Sequence, residues 1–175
     1  RLATHLSMAF TTYSALIWTG MDILNPASGA QKLAHTLSPQ TLQHARFLRR
    51  FALGNVALAA TTVLSGAYVA GNDAGRAYNS FPKMGDDWIP PEILALTPVW
   101  KNFTENTATV QFDHRVLALS TLASIAGMYA HARSNFNGST LWRSAPSYVR
   151  LAFNSIAGMS IMQVGLGIGT LLLYV

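Results

Sequence analysis

The sequence predicts an all-α fold, a polytopic bundle of transmembrane helices. Asp, Glu, Lys and Arg make up only 11% of the 175 residues and half of the chain is apolar, whereas about a quarter of the residues in a water-soluble domain are charged. Four runs contain none of these four residue types: 2–21, 51–71, 116–132 and 151–175. Because roughly 20 helical residues cross a hydrocarbon core of about 30 Å, the runs predict four spanning helices.

The loops between these runs predict the orientation of the chain. Lys and Arg are densest in the two short loops that follow the first and third runs, and six of the seven acidic residues lie between the second and third runs. By the positive-inside rule, the short loops face the matrix or cytoplasm. The long loop 72–110 then faces the intermembrane space or periplasm.

Composition also excludes several classes of function. The chain has no cysteine, which rules out disulfides, thiolate metal sites and cysteine nucleophiles within it. The net charge of +5 is concentrated in the short loops, as orientation in a membrane requires, so no nucleic-acid partner is expected. The aromatic-rich loop 72–110 is expected to fold at the membrane surface, either as a lid or as an interfacial anchor without further function.

Two of the five histidines are candidate ligands of a heme iron. His5 and His114 stand at the outer ends of the first and third runs, where an ionisable group is costly and neutral imidazole is a common axial ligand. The alternative for each is a side chain that only caps the helix at the interface. His35, His44 and His131 are expected to be solvated or interfacial, without a role in binding.

Two further polar residues are singled out by position. Arg115 follows His114, and its guanidinium could pair with a heme propionate or simply anchor the helix at the interface. Gln163 lies inside the fourth run beside a G-x-x-x-G pattern, which is typical of helix packing with an interhelical hydrogen bond.

Three sequence motifs carry a resemblance to a known family. They are the run GAYVAGNDAG from Gly66, the run YNSFPKMG from Tyr78, and QFDHR at 111–115. With these motifs the chain resembles, over nearly its whole length, the heme A synthases of mitochondria and proteobacteria.

The resemblance implies eight helices in two similar four-helix halves, each binding one heme between two histidines near the outer face. Residues 1–24 correspond to the last helix of the first half, which holds the substrate heme O. Residues 25–50 correspond to an inner-side loop, and 51–175 to the first three helices of the second half, which holds heme b. His5 would then bind the substrate heme, and His114, with Arg115, the heme b. The partner histidines are expected outside this piece of the chain.

The implied reaction oxidises the methyl group at ring position 8 twice, and the resulting geminal diol loses water to give the formyl group of heme A. The family's catalytic glutamate lies three residues before the other histidine of the first half, which is the partner of His5 and lies outside this sequence. No catalytic residue is therefore expected here, and this piece alone is expected to be inactive. Gln111 holds the corresponding place in the second half, where a neutral amide cannot act as a base.

The resemblance further implies a multi-pass protein of the mitochondrial inner membrane, or alternatively of a bacterial plasma membrane, that serves cytochrome c oxidase assembly. Expected partners are the lipid bilayer, heme O, an electron donor of unknown identity, heme O synthase and a second copy of the chain. A non-enzymatic b-type cytochrome subunit is the alternative function. Cytochromes that stack two hemes in one four-helix bundle usually carry two histidines thirteen or fourteen residues apart on one helix. His114 and His131 are seventeen residues apart, or ~25 Å along an ideal helix, which argues against this alternative.

Overall fold

The computed structural model describes residues 2–24, 37–134 and 140–173. Within these ranges the chain is helical, apart from loops and an isolated bridge between Met84 and Asp87. The helices are α1 (Leu2–Leu24), α2 (Pro39–Gly71), α3 (Asn102–Glu105), α4 (Thr107–Arg133), α5 (Leu141–Ser144) and α6 (Ser147–Leu172), with 3-10 turns at Ala74–Arg76 and Val99–Lys101. The all-α prediction is confirmed.

The four long helices correspond to the four predicted runs, and consecutive long helices pack against each other. The main contacts join α1 to α2, α2 to α4, and α4 to α6. Among the described residues, α2 and α6 are long and apolar enough to cross a membrane. The apolar side chains of α1 and α6 are largely exposed, as expected for surfaces that face lipid or further helices.

Helix α2 begins well before the apolar run that predicted it. Ser38 caps its N-terminus by accepting a hydrogen bond from the Thr41 amide at 3.2 Å, and Pro39 occupies the first turn. These are strong helix-start signals. Residues 39–50, expected in an inner-side loop, are therefore helical, because apolarity marks only the part of a helix that crosses lipid.

This early start changes the environment of His44, which is 1% exposed. Its Nε2 lies 3.1 Å from the His131 carbonyl oxygen, and the two imidazole centroids are 4.8 Å apart. His44 was expected to be solvated or interfacial; it is not solvated, because α2 continues as a helix beside the end of α4 and buries that face. His131 lies in the last turn of α4 as predicted, whereas His35 lies outside the described residues.

The loop 72–106, which is predicted to lie on the outer side and is called the outer loop below, is folded by hydrogen bonds from asparagine side chains. Asn102 is fully buried; its Nδ2 donates to the carbonyls of Leu96 and Val99, and its Oδ1 accepts from the Leu96 amide at 2.9 Å. Asn106 donates to the Glu92 carbonyl at 2.8 Å. Paired polar groups of this kind fix a loop without a large apolar core.

Candidate functional site

A cavity of about 800 Å³ opens between α2, α4 and α6, at the end of the bundle covered by the outer loop. Cofactor pockets in proteins typically measure roughly 300–1,000 Å³. The residues of its wall that matter for chemistry are Gly66, Gln111, His114, Arg115 and Gln163. The cavity is therefore large enough for a flat cofactor and combines apolar walls with few polar groups.

His114 projects from α4 towards α2. Its Nδ1 lies 2.8 Å from the Ser65 hydroxyl oxygen, and a Cβ added to Gly66 would stand only 3.0 Å from its Cε1. The imidazole thus lies directly against the α2 backbone, and only glycine leaves space for it there. Since its Nδ1 is occupied by Ser65, Nε2 is the ring nitrogen left to bind iron.

Arg115 binds the outer loop. Its Nη2 donates to the Tyr78 carbonyl at 3.1 Å, and its Nη1 donates to the carbonyls of Lys83 at 3.0 Å and Pro82 at 3.4 Å. The sequence left a propionate partner and a plain interface anchor open for Arg115. The structure gives it a different contact, because the guanidinium fastens the segment 78–83 over the end of α4.

Gln111 lies one turn before His114 and is 3% exposed. Its Nε2 donates to the Tyr78 carbonyl at 2.9 Å, whereas its Oε1 is buried and has no hydrogen-bond partner among the described residues. A buried acceptor of this kind is costly unless a ligand or water completes it. Because Gln111 also lines the cavity, this oxygen is suited to a polar group of a bound molecule.

Tyr78 is held at both its backbone and its side chain. The phenol donates to a Glu92 carboxylate oxygen at 2.9 Å, and burial, assisted by this hydrogen bond, raises the pKa of Tyr78 above its usual value. This shift further favours the protonated phenol, which is the form that donates to Glu92. The carbonyl that receives Gln111 and Arg115 is thereby fixed from the loop side as well.

The structure separates the two candidate ligands. His114 and Arg115 share the cavity, whereas His5 is not among its lining residues and is exposed on α1, which contacts α2. No cluster of three or more His, Cys, Asp or Glu suited to an isolated metal ion occurs in the described ranges.

Three residues of the site were given no binding role from the sequence. Gln163 lines the cavity, although its surroundings predicted helix packing, and a Cβ on Gly165 or Gly169 would meet nothing within 4 Å among the described residues. Ser65 and Gly66 gave no separate signal, because Ser-Gly inside an apolar helix is typical of packing. The motif starting at Gly66 was noticed only through the resemblance.

Comparison with known proteins identifies the family. The profile of the COX15-CtaA family, described as cytochrome oxidase assembly protein, matches residues 1–175. The chain belongs to this family. No solved structure gives a significant match to it.

Members of the COX15-CtaA family with high similarity to this chain carry the name heme A synthase. The chain is 43% identical to heme A synthase COX15 of Arabidopsis thaliana and 42% identical to that of Homo sapiens, each over 175 residues. It is 39% identical to heme A synthase of Nitrosospira multiformis over 176 residues. All of this chain is covered, but only 35%, 38% and 44% of the three relatives. The resemblance inferred from the motifs is confirmed, and the chain is a helical membrane protein.

Proposed function

We propose that the protein containing this chain is a heme A synthase, an oxidoreductase that converts heme O to heme A for cytochrome oxidase assembly. The names of relatives matched along the whole chain support this proposal. The observation that carries it is His114, which lines an apolar cavity of about 800 Å³ while its Nδ1 lies 2.8 Å from the Ser65 hydroxyl oxygen. A non-enzymatic b-type cytochrome is not favoured, because the relatives are named as synthases.

In this proposal the cavity holds heme b, with His114 as one axial ligand. Three features fit such a group: the imidazole donor, the absence of a side chain at Gly66, and the buried, unpartnered Oε1 of Gln111. When bound, the heme would supply an iron centre that exchanges single electrons. The residues of this chain orient the ligand, exclude water and shape the walls.

Arg115 and Gln111 would keep the cavity closed on its outer side. Together they donate three hydrogen bonds of 3.1 Å or less to the carbonyls of Tyr78 and Lys83. A fixed cover keeps water from the cavity and lowers its effective dielectric, which strengthens every electrostatic interaction inside. A carboxylate at the cavity mouth would still meet the positive charge of Arg115.

His5 would bind the substrate heme O in a separate site formed with the first half of the protein. Its exposed position on α1, away from the His114 cavity, supports a role in a different heme site. The proposal places the protein in the mitochondrial inner membrane or a bacterial plasma membrane, with the bilayer and heme O as partners. An electron donor, heme O synthase and a second copy remain the proposed protein partners.

The test compares His114→Ala with His5→Ala in the full-length protein. Loss of the His114 imidazole should abolish the heme b signal, because the iron loses its protein ligand on that side. The His5 variant should retain heme b and fail to bind or convert heme O. Pyridine hemochrome content and the ratio of heme O to heme A are measured on each purified protein.

The opposite pattern, with heme b lost only in the His5 variant, would show that the helices are assigned to the wrong halves. Normal heme content and activity in both variants would leave both histidines as interface anchors. Ser160→Ala, on α6 and outside the cavity wall, is the matched control and should retain both hemes and the activity.

A further inference from the structure

Ser65 holds the imidazole of His114 in one tautomer. The Ser65 hydroxyl donates to the Thr62 carbonyl at 2.7 Å, and its oxygen lies 2.8 Å from His114 Nδ1. A hydroxyl has one hydrogen, and here it is directed at Thr62. The Ser65 oxygen must therefore accept at its second contact, so His114 carries its proton on Nδ1 and leaves a lone pair on Nε2.

Gly66 leaves the space that the same ring occupies beside α2. A Cβ at this position would lie 3.0 Å from Cε1, 3.5 Å from Nδ1 and 3.6 Å from Nε2 of His114, so any larger residue would push the ring away from the helix. Ser65 and Gly66 are consecutive on α2, and together they limit both the rotation of the imidazole and its protonated nitrogen. His114 is thus preorganised on a rigid helix before any ligand binds.

We propose that Ser65 is the positioning residue of the His114 site and that its hydrogen bond lowers the reduction potential of the heme iron bound there. This inference rests on the proposed function. A ligating imidazole that donates its second N–H to an oxygen becomes a better electron donor. Stronger donation stabilises ferric iron more than ferrous iron, because the ferric ion carries the larger charge.

The experiment is a potentiometric titration of heme b in full-length Ser65→Ala, Ser65→Thr and Thr121→Val proteins. Ser65→Ala removes the acceptor, and a tenfold selective loss of ferric affinity would raise the potential by about 59 mV for a one-electron couple. Ser65→Thr keeps a hydroxyl and should restore a potential close to that of the wild type. The low-spin electron paramagnetic resonance signal should shift in Ser65→Ala and return in Ser65→Thr.

Thr121→Val is the matched control. Thr121 Oγ1 lies 2.8 Å from Thr62 Oγ1 in the same contact between α2 and α4. The Thr121 hydroxyl forms no hydrogen bond with His114. Its loss should leave the potential and the spectrum unchanged. An equal shift in Thr121→Val and Ser65→Ala would overturn the proposal, since the effect would then reflect helix packing in general.

The outcomes separate this inference from the proposed function. If His114→Ala abolishes the heme b signal but Ser65→Ala has the wild-type potential, only the role of Ser65 is wrong. If His114→Ala retains the signal, the heme assignment itself fails. Should Ser65→Ala not accumulate in the membrane, Ser65→Cys places a weaker acceptor at the same position, and an unchanged potential there also contradicts the proposal.

Discussion

The position of His114 depends on the absence of a side chain on the neighbouring helix. Gly66 needs no special backbone angle in the middle of α2, and an alanine there would favour the helix by about 0.5–1 kcal/mol. The close approach of the imidazole, at 3.0 Å from a would-be Cβ, explains why glycine is required instead.

The first prediction is that Gly66→Ala impairs the heme site. The added methyl group forces the His114 ring away from α2, and overpacking of this kind costs typically 1–3 kcal/mol. We expect lower heme b content and a mixture of spin states, measured by hemochrome content and optical spectra of the purified full-length protein.

Gly54→Ala serves as the control for this prediction, because it lies on the same helix and a Cβ there would meet no atom of the described ranges within 4 Å. It should retain full heme content, with the small gain in helix stability expected of an exposed alanine. Equal heme loss in both variants would mean that α2 tolerates no substitution, rather than that Gly66 makes room for the imidazole.

At the scale of elements, the outer loop and the end of α4 form one unit. Arg115 and Gln111 both donate to the Tyr78 carbonyl, and Asn102 fixes the following segment through the Leu96 and Val99 carbonyls. The sequence predicted a folded loop from its aromatic residues. The structure shows that polar side chains hold its backbone, while Trp88 and Trp100 remain more than 60% exposed, at 65% and 62%.

The second prediction concerns Arg115 in the heme-free protein. Arg115→Ala removes the hydrogen bonds to Lys83 and Tyr78, each worth about 1 kcal/mol, so amide hydrogen exchange in 78–85 should accelerate by about an order of magnitude or more. Arg115→Lys should restore protection only in part, because an ammonium cannot reproduce the guanidinium fork. Exchange is followed by mass spectrometry after removal of heme.

Lys83→Ala is the matched control, since it also removes a cation but only an exposed contact to the Asp86 carbonyl. It should leave most of the segment protected. Unchanged exchange in heme-free Arg115→Ala would show that Arg115 does not fasten the loop and would favour a role confined to a heme propionate.

At the scale of the whole molecule, the charge distribution predicts the orientation in the membrane. The third prediction uses the absence of cysteine from this chain. Asp87→Cys, in the exposed outer loop, should react with a membrane-impermeant maleimide in intact mitoplasts or spheroplasts, whereas Ser144→Cys should react only after permeabilisation. Any cysteine elsewhere in the full-length protein is first replaced.

Labelled protein is detected on gels. Each variant is also labelled after denaturation, and that signal serves as the reference for complete reaction. Reaction of Ser144→Cys, but not Asp87→Cys, in sealed membranes would invert the predicted topology. Reaction of both in sealed membranes would contradict the four-span arrangement, because the two positions would then lie on the same side.

The sequence by itself determined the four long helices and the family, and it predicted His5 and His114 as candidate ligands. Apolar runs are local properties, and motifs such as QFDHR at 111–115 are specific enough to be read without a fold. Ser38 and Pro39 are also signals in the sequence for the beginning of α2 at Pro39. Hydropathy, however, marks only the membrane-spanning part of a helix.

Only the tertiary structure decided which side chains meet. The contact of Ser65 and Gly66 with His114, the use of Arg115 to hold the loop, and the burial of His44 against His131 all join residues far apart in sequence. They depend on the rotation of each helix about its axis. Helix rotation is set by packing between helices, and nearly uniform apolar composition leaves little amphipathic pattern from which it could be predicted.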